Sequence, residues 1–314
     1  MFFVVSVISY PDKLPRLSHR LCIQLGVQKE IQMPSSLKRI YDSVPYLSIK
    51  YDTYFPAYEA LFQKYVGREI TIVEVGVFNG GSLFMWREFF GPKARIIGID
   101  LNPSARMWEQ HGFEIHIGDQ AREEFWREFF ETVGPVDVFI DDGGHTNLQQ
   151  IVTLHCAVEH IRDGGLLIVE DVHTSYFREF GNPWSRSFIR FVSKVVDAVN
   201  SRAAALKTSR ERYARRVHRI SFFESIVALH IDSNLCKKSV PTSNGGITQM
   251  AADFRYQGVL QSWLFFKKNG LSVKAAGLTG LLSRITIRGI DLLLLILSRA
   301  EGIRYARYWR GDIK

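Results

Sequence analysis

Residues 70–90 read ITIVEVGVFNGGSLFMWREFF, and this stretch decides the fold. The β-branched run 70–75 predicts a buried strand, the glycines at 76, 80 and 81 predict a tight turn, and residues 83–90 predict a helix. Glycines at such a turn let the backbone approach a ligand, and the helix that follows offers unpaired N–H groups to an anion. The spacing departs from the Gly-x-Gly-x-x-Gly of nicotinamide enzymes, because Phe78 replaces the second glycine, so a dinucleotide is disfavoured.

Four further strands are predicted after this turn, and acidic groups follow most of them. The strands are 94–100, 113–117, 136–140 and 165–169; the groups that end them are Asp100, Gly118-Asp119-Gln120, Asp141-Asp142-Gly143-Gly144-His145 and Glu170-Asp171. The carboxyl ends of parallel strands line one crevice of an open α/β sheet, so we expect these groups to meet on one rim.

The second predicted strand ends in Asp100, where a carboxylate can accept hydrogen bonds from both hydroxyls of a ribose. Asp100 is therefore the expected ribose ligand, and the alternative is that it caps a turn before Asn102-Pro103. Asp119 and Gln120, at the end of the next strand, are expected to meet an adenine edge. These positions predict a nucleotide-containing cofactor.

Asp142, Glu170 and Asp171 follow the fourth and fifth strands and are expected to share a metal ion. Hard oxygen ligands without a nearby cysteine favour magnesium, or manganese or calcium, over zinc. His145 lies three residues beyond Asp142. A histidine beside an acidic cluster in a crevice is suited to remove a proton from a hydroxyl, so we expect His145 to be a general base.

This ordered set of motifs resembles the class I S-adenosylmethionine-dependent methyltransferases, in particular the metal-dependent sugar O-methyltransferases of macrolide tailoring (mycinamicin and macrocin type). The resemblance covers about residues 51–230. It is carried by EVGVFNGGS at 74–82, GID at 98–100, GDQ at 118–120, IDDGGH at 140–145, VED at 169–171 with HTSY at 173–176, and FFESIV at 222–227.

The resemblance implies a doubly wound, Rossmann-like α/β sheet and assigns roles to particular residues. It implies that S-adenosylmethionine is held by Glu74, Gly76, Gly81, Ser82 and Asp100. It also implies that Asp142, Glu170 and Asp171 bind Mg²⁺ and that His145 is the base. Asp119, Gln120 and Asp141 are expected to bind the cofactor together with the five residues named first.

The expected reaction is methyl transfer from S-adenosylmethionine to a hydroxyl group. Magnesium that chelates two vicinal hydroxyls would orient the acceptor and lower the pKa of one of them, which suits a sugar diol on a glycan or small molecule. A catechol would satisfy the same geometry. Two other hypotheses remain: a cephalosporin hydroxylase-like relative with the same fold but different chemistry, and a non-catalytic scaffold that binds a membrane or a polymer.

Composition and charge indicate how the chain is organised. The 314 residues are 46% hydrophobic, enough for one large core. Three widely spaced cysteines indicate reduced thiols and a cytoplasmic protein. We expect an N-terminal extension at 1–48, a methyltransferase domain at 49–235 with a basic insertion at about 186–219, and a basic, apolar extension at 236–314. Within the domain, the aromatic stretch 49–62 predicts an N-terminal helical cap over the cofactor crevice, and residues 221–230 predict a last strand.

Two segments leave alternatives open. The run 202–219 holds seven basic residues against Glu211, and is interpreted as a solvated helix face, a clamp for an anionic acceptor or a nucleic-acid surface. Nucleic acid is disfavoured, since no binding motif accompanies the run. Residues 278–310 predict an amphipathic, basic helical hairpin or single helix that packs on the core or on another subunit, or lies at the inner face of a membrane. A homo-oligomer is expected.

Overall fold

The structure, a computed structural model, describes residues 36–181, 185–204 and 206–247, together with 289, 292, 295 and 296. The chain divides into two compact units, Met1–Pro241 and Thr242–Lys314. Within the described residues, no helix combines the length and the apolar character that crossing a bilayer requires. The expectations for residues 1–35, and those for 278–310 apart from four positions, lie outside the described residues.

A seven-stranded sheet forms the centre of the first unit, with the order β3-β2-β1-β4-β5-β7-β6. Strands β1 to β5 are parallel, and β7 pairs antiparallel with both β5 and β6. The strands are β1 Thr71–Val75, β2 Arg95–Asp100, β3 Glu114–Ile117, β4 Val136–Asp141, β5 Ile161–Val169, β6 Val217–Phe223 and β7 Ile226–Ile231. This arrangement confirms the expected doubly wound α/β fold.

Helices flank the sheet and join its parallel strands. The α-helices are α1 Ser36–Ser43, α2 Tyr54–Phe62, α3 Gly81–Phe90, α4 Glu123–Val133, α5 Asn147–Ala157, α6 Phe188–Asn200 and α7 Arg212–Arg216. Short 3₁₀ helices lie at Gln63–Tyr65, Pro103–His111, Val172–Tyr176, Arg178–Phe180 and Ser233–Leu235.

The core lies on both faces of the sheet, as the apolar runs of its central strands require. All five residues of β1 are buried. Successive side chains of a strand point to opposite faces, so Ile72 packs into one cluster with α2 and α3, and Val73 and Val75 pack into the other with α4 and α6. Packing on both faces holds the strands in place, so that their carboxyl ends lie together at one edge of the sheet.

Two local expectations are corrected. Residues 221–230 read as one strand, but they form most of the β6–β7 hairpin, which turns at Glu224-Ser225 with Ser225 at a φ of 59°. The aromatic stretch 49–62 reads as one helix, but helix α2 begins only at Tyr54. Residues 44–53, here called the strap, therefore run without regular helix between α1 and α2.

Several arginines of the basic run bind within the domain. The Arg202 guanidinium is buried and donates to the carbonyls of Ala214 and Val217 at 3.1 and 2.9 Å. Arg216 pairs with Asp163 at 2.8 Å, and Arg212 donates to a backbone carbonyl of α5. These contacts favour a structural role for much of the run, since a clamp needs free guanidinium groups.

Candidate active site

A cavity of about 730 Å³ lies at the carboxyl ends of the parallel strands. Eight of the twelve residues expected in the site line it: Gly76, Ser82, Asp100, Asp119, Gln120, Asp142, His145 and Asp171. The other four, Glu74, Gly81, Asp141 and Glu170, lie behind the cavity wall. The strand ends therefore bring the cofactor group and the acidic group to one cavity.

Gly76 lies where the loop after β1 contacts the loop after β4. Its φ is +92°, and a Cβ at this position would lie 2.0 Å from the carbonyl oxygen of Asp142. The Asp142 amide donates to the carbonyl of Val75 at 3.0 Å, so the two loops are tightly held. Only glycine fits here, because both the backbone conformation and the contact exclude a side chain.

Asp100 binds the glycine turn from the end of β2. Its Oδ2 accepts the amides of Val77 and Phe78 at 2.9 and 3.1 Å, and its Oδ1 accepts that of Asn102 at 2.8 Å. Asp100 thus caps a turn, as one of the two interpretations expected, and it also lines the cavity. Each carboxylate oxygen has more than one lone pair, so a further donor such as a ribose hydroxyl remains compatible with these bonds.

Glu74, which the resemblance implied to hold the cofactor, does not line the cavity. The carboxylate is fully buried beneath the cavity, where Oε2 accepts from the Ser82 hydroxyl at 2.7 Å and Oε1 from the Trp86 indole at 2.9 Å. Burial raises the pKa of Glu74, although Lys50 at 3.8 Å opposes this. Glu74 thus acts on the cavity through Ser82. Gly81 allows the strap to pack closely against the start of α3, because a Cβ there would lie 2.3 Å from the Tyr46 carbonyl oxygen.

Gln120 connects the β3 loop to the β4 loop. Its Nε2 donates to Asp141 Oδ1 at 2.8 Å and to the Thr153 hydroxyl at 3.1 Å, while its Oε1 accepts the Gly144 amide at 3.0 Å. Asp141 is 1% exposed, and burial raises its pKa to about 6. Asp141 therefore fixes Gln120 from behind, whereas Asp119 lies on the cavity wall.

Asp142, His145 and Asp171 lie together on the cavity wall. His145 Nε2 is 3.4 Å from Asp171 Oδ2 and 3.9 Å from Asp142 Oδ1, and one ligand atom from each residue lies within 4.8 Å of the others. Two carboxylates and an imidazole at this spacing fit a divalent cation. Because most of these ligands are oxygens, magnesium or manganese is favoured.

His145 is held in an unusual backbone conformation, with a φ of 58°. Its carbonyl accepts the Thr174 hydroxyl at 2.9 Å, and Thr146 next to it begins α5 with a capping box to Gln149. Burial lowers the pKa of His145, although Asp171 and Asp141 oppose this. The imidazole is therefore neutral near pH 7 and able to accept a proton.

Lys50 is a site residue that the sequence did not reveal. Its ammonium lies 2.6 Å from Asp142 Oδ2 and 2.9 Å from Glu170 Oε2, and its side chain is 1% exposed. Burial opposes its charge, but Asp142, Glu170 and Glu74 outweigh burial and raise its pKa well above the usual value. No motif marks this lysine, since its partners lie 92 and 120 residues further along the chain.

Lys50 offsets only part of the effect of burial on the carboxylates around it. Burial raises the pKa of Asp142 and of Glu170 to about 7 in each case, even though Lys50 lowers both. Glu170 Oε1 is buried without a hydrogen-bond partner among the described residues. The Tyr54 hydroxyl donates to Asp171 Oδ1. As the structure places it, Glu170 faces Lys50 and lies apart from the Asp142, His145 and Asp171 group.

The sheet order and the cavity at the strand ends define the class of protein: a Rossmann-like domain of the class I methyltransferase type. Residues 73–172 match the family model described as "Methyltransferase domain". Residues 73–172 thus match a methyltransferase domain, and the resemblance of the chain to the macrolide-type sugar O-methyltransferases is confirmed by the comparisons with individual proteins.

Two curated relatives show this resemblance. The chain is 29% identical to 8-demethyl-8-alpha-L-rhamnosyl tetracenomycin-C 2'-O-methyltransferase of Streptomyces olivaceus over 63% of this chain and 53% of that protein. It is 31% identical to demethylmacrocin O-methyltransferase of Streptomyces fradiae over 61% of this chain and 50% of that protein. The chain therefore spans about half the length of the curated relatives it matches.

A solved structure shows the same similarity. The MycE methyltransferase from the mycinamycin biosynthetic pathway, in complex with Mg, SAH and mycinamycin VI, superposes with a TM-score of 0.57 at 27% identity. The match covers 70% of this chain and 57% of MycE. The similarity therefore reaches beyond the 100 residues of the domain model and includes most of the first unit.

Proposed function

We propose that this chain transfers a methyl group from S-adenosylmethionine to a hydroxyl of a sugar or a glycosylated small molecule. The observation that carries the proposal is that one cavity has Gly76, Ser82 and Asp100 in its wall together with Asp142, His145 and Asp171. The names of the relatives support a hydroxyl acceptor, since they are O-methyltransferases.

Gly76 lets the cofactor approach the backbone of the glycine turn, Asp100 is suited to its ribose, and Asp119 on the cavity wall is suited to its adenine, while Gln120 connects the loops behind it. The acceptor hydroxyl lies against His145. As the hydroxyl oxygen attacks the methyl carbon, the bond from carbon to sulfur breaks, S-adenosylhomocysteine leaves, and the hydroxyl proton passes to Nε2 of His145.

Asp142 and Asp171 are the proposed holders of a magnesium ion, and their free oxygens fit such an ion. A bound magnesium ion would lower the pKa of the acceptor hydroxyl and orient it. Glu170 accepts a hydrogen bond from Lys50, and Lys50 in turn donates to Asp142. His145 then serves as the base rather than as a permanent metal ligand.

Calorimetry with S-adenosylmethionine and S-adenosylhomocysteine, with and without Mg²⁺, tests the cofactor. The full chain is expected to bind both, and Asp100→Ala is expected to weaken binding by at least about tenfold, as for loss of charged hydrogen bonds. Glycosylated polyketides supplied with S-adenosylmethionine should then gain one methyl group, detected by mass spectrometry. Absence of cofactor binding under every condition would remove the proposal. Binding without methyl transfer to any acceptor would favour the hydroxylase-like alternative.

A further inference from the structure

The β6–β7 hairpin presents a basic surface beside α2, outside the cavity. Ala228 packs into the apolar cluster that contains α2, so the alternation of side chains along β7 directs His230 to the same face of the sheet. Phe223 of β6 also packs against this cluster, and the same alternation applies to the residues before it. The polar residues that share this face, here called the basic face, are Arg219, Ser221 and His230. None of the three lines the cavity described above.

Arg219 lacks the acidic partner that a neighbouring arginine has. Arg215 lies 3.4 Å from a carboxylate oxygen of Glu159. Within the described part of the chain, Arg219 forms no ion pair, and its Nη2 lies 3.1 and 3.3 Å from the two ring nitrogens of His230. An atom almost equidistant from both nitrogens is in line with neither lone pair, so most N–H donors of this guanidinium remain available to another acceptor.

A second cation reaches the basic face from the end of α2. Lys64 lies in the 3₁₀ helix that follows α2, and its Nζ donates to the Gly164 carbonyl at 2.8 Å. Lys64 forms no ion pair with a described acid. Partial burial, with the charges of Arg219 and Arg68, lowers its pKa, and Asp232 opposes this. Cations held near one another raise the electrostatic energy of the folded protein, and a bound anion lowers it.

The same charges keep His230 neutral. Its Nε2 lies 2.9 Å from the Ser221 hydroxyl. Burial, with the charges of Arg219, Lys64 and His218, lowers the pKa of the imidazole to about 4. A bound anion offsets these charges, so it raises this pKa and binds more tightly when His230 is protonated. The imidazole is therefore a built-in reporter of anion binding.

We propose that the basic face and Lys64 together form a binding site for a phosphate monoester group. Such a group carries a charge of about −1.5 to −2 at neutral pH, which matches the two fixed cations. A carboxylate would be offset by Arg219 alone. The oxygens of a phosphate also point in several directions, as the guanidinium, ammonium and hydroxyl donors of this surface require. The site is separate from the cavity and does not depend on methyl transfer.

The test follows His230 by nuclear magnetic resonance in the full chain with isotope-labelled histidine. Inorganic phosphate is added at an ionic strength held constant with chloride, and His230→Gln identifies the signal among the nine histidines. We expect a saturable shift of the His230 signal. Sulfate, whose charge does not change in this pH range, should raise the pKa of His230 towards the usual value of about 6.5, so that sulfate affinity increases from pH 7 to pH 5.

A matched pair of variants distinguishes a site from a general attraction of anions to a basic chain. Arg219→Gln should weaken phosphate binding at least about tenfold, because it removes the main donor of the site. Arg215→Gln removes the same charge from a nearby exposed arginine and should change the affinity by less than about twofold. Thermal unfolding shows whether the variants are folded, and Lys64→Met, with at least about threefold weaker binding expected, replaces Arg219→Gln if that chain is not.

A His230 signal that does not saturate would overturn the inference, as would equal weakening of binding by Arg219→Gln and Arg215→Gln. The phosphate group can belong to a soluble small molecule or to a lipid, and sedimentation with phosphatidylcholine vesicles that contain phosphatidic acid separates these sources. Co-sedimentation that Arg219→Gln abolishes identifies a lipid headgroup. Saturable binding of free phosphate without co-sedimentation identifies a soluble phosphorylated compound, and either result supports the site.

Discussion

His145 occupies a left-handed backbone position, which costs a residue other than glycine of the order of 1–3 kcal/mol. Such strain persists where the surrounding structure imposes it, and here the Thr174 hydroxyl binds the His145 carbonyl. The orientation of the imidazole therefore depends on the backbone conformation as well as on side-chain contacts. A substitution that tests its chemistry should therefore keep the conformation.

Asparagine tolerates left-handed backbone, so His145→Asn removes the base with little strain. We expect methyl transfer to fall by about 10²–10⁴-fold, the usual contribution of a general base, with S-adenosylhomocysteine binding retained. Mn²⁺ affinity should stay within about threefold, less than the loss of a metal ligand would cause. His160→Asn, at a ring stacked on Phe130, is the control. Activity above one tenth of wild type would refute the assignment of His145 as base.

Alanine substitutions at Gly76 and Gly112 distinguish the cost of backbone strain from the cost of a steric clash. Both have positive φ, but a Cβ at Gly112 meets no described atom within 4 Å, whereas one at Gly76 lies 2.0 Å from the Asp142 carbonyl. Gly112→Ala should cost about 1–2 kcal/mol of unfolding free energy. Gly76→Ala should cost about 3–5 kcal/mol, since overpacking adds to the strain, and should weaken cofactor binding. Urea unfolding measures both, and equal costs would contradict this account of Gly76.

At the scale of single elements, the sequence predicts the parallel strands well. Their β-branched runs are long enough to be recognised, and glycines or acids follow directly. The hairpin of β6 and β7 is missed because Glu224-Ser225 contains no glycine, proline, asparagine or aspartate, and serine is the weakest of the usual turn residues. Ser225 also adopts a positive φ without a sequence signal. The place of Lys50 is missed because pairing across 92 and 120 residues leaves no local pattern.

The hairpin also carries a pH-dependent element. Burial, with Arg219 and Lys64, lowers the pKa of His230 on β7 to about 4, and its Nε2 lies 2.9 Å from the Ser221 hydroxyl on β6. The unfolded chain takes up this proton near pH 6.5 and the folded chain only near pH 4. The histidine is therefore neutral in the fold, and its contribution to stability is lost as pH falls through that window.

Between pH 7 and pH 5, wild type should lose about 1 kcal/mol more unfolding free energy than His230→Gln, a value reduced for partial exposure of the ring. Urea titrations of both proteins at the two pH values measure the difference. The comparison with the variant removes the contribution of the other histidines. Parallel losses in the two proteins would show that His230 does not carry this dependence.

At the scale of the whole molecule, every residue that lines the cavity lies between positions 47 and 171, inside the first compact unit. The charge of the chain is distributed differently, because residues 71–171 hold 7 basic and 17 acidic residues, so the net charge of +8 comes from the flanking parts. The described strands and the cavity therefore all lie before Thr242, within the first unit.

A chain that ends at Pro241 should consequently fold and bind S-adenosylhomocysteine with an affinity within about threefold of the full chain, as expected for a unit with its own core. Calorimetry of the two proteins side by side tests this, and thermal unfolding shows whether the shortened chain is cooperative. Loss of binding in the shortened chain would mean that residues 242–314 contribute to the site.

The strap also sets an order of events for a chain leaving the ribosome. Lys50 is synthesised early, yet its partners Asp142 and Glu170 follow 92 and 120 residues later. Contacts of such long sequence separation form late, since the entropy of closing the loop must be lost first. The nascent protein can thus pair its central strands while the lysine is still hydrated. The acidic cluster then becomes charge-paired only after Glu170 has been synthesised.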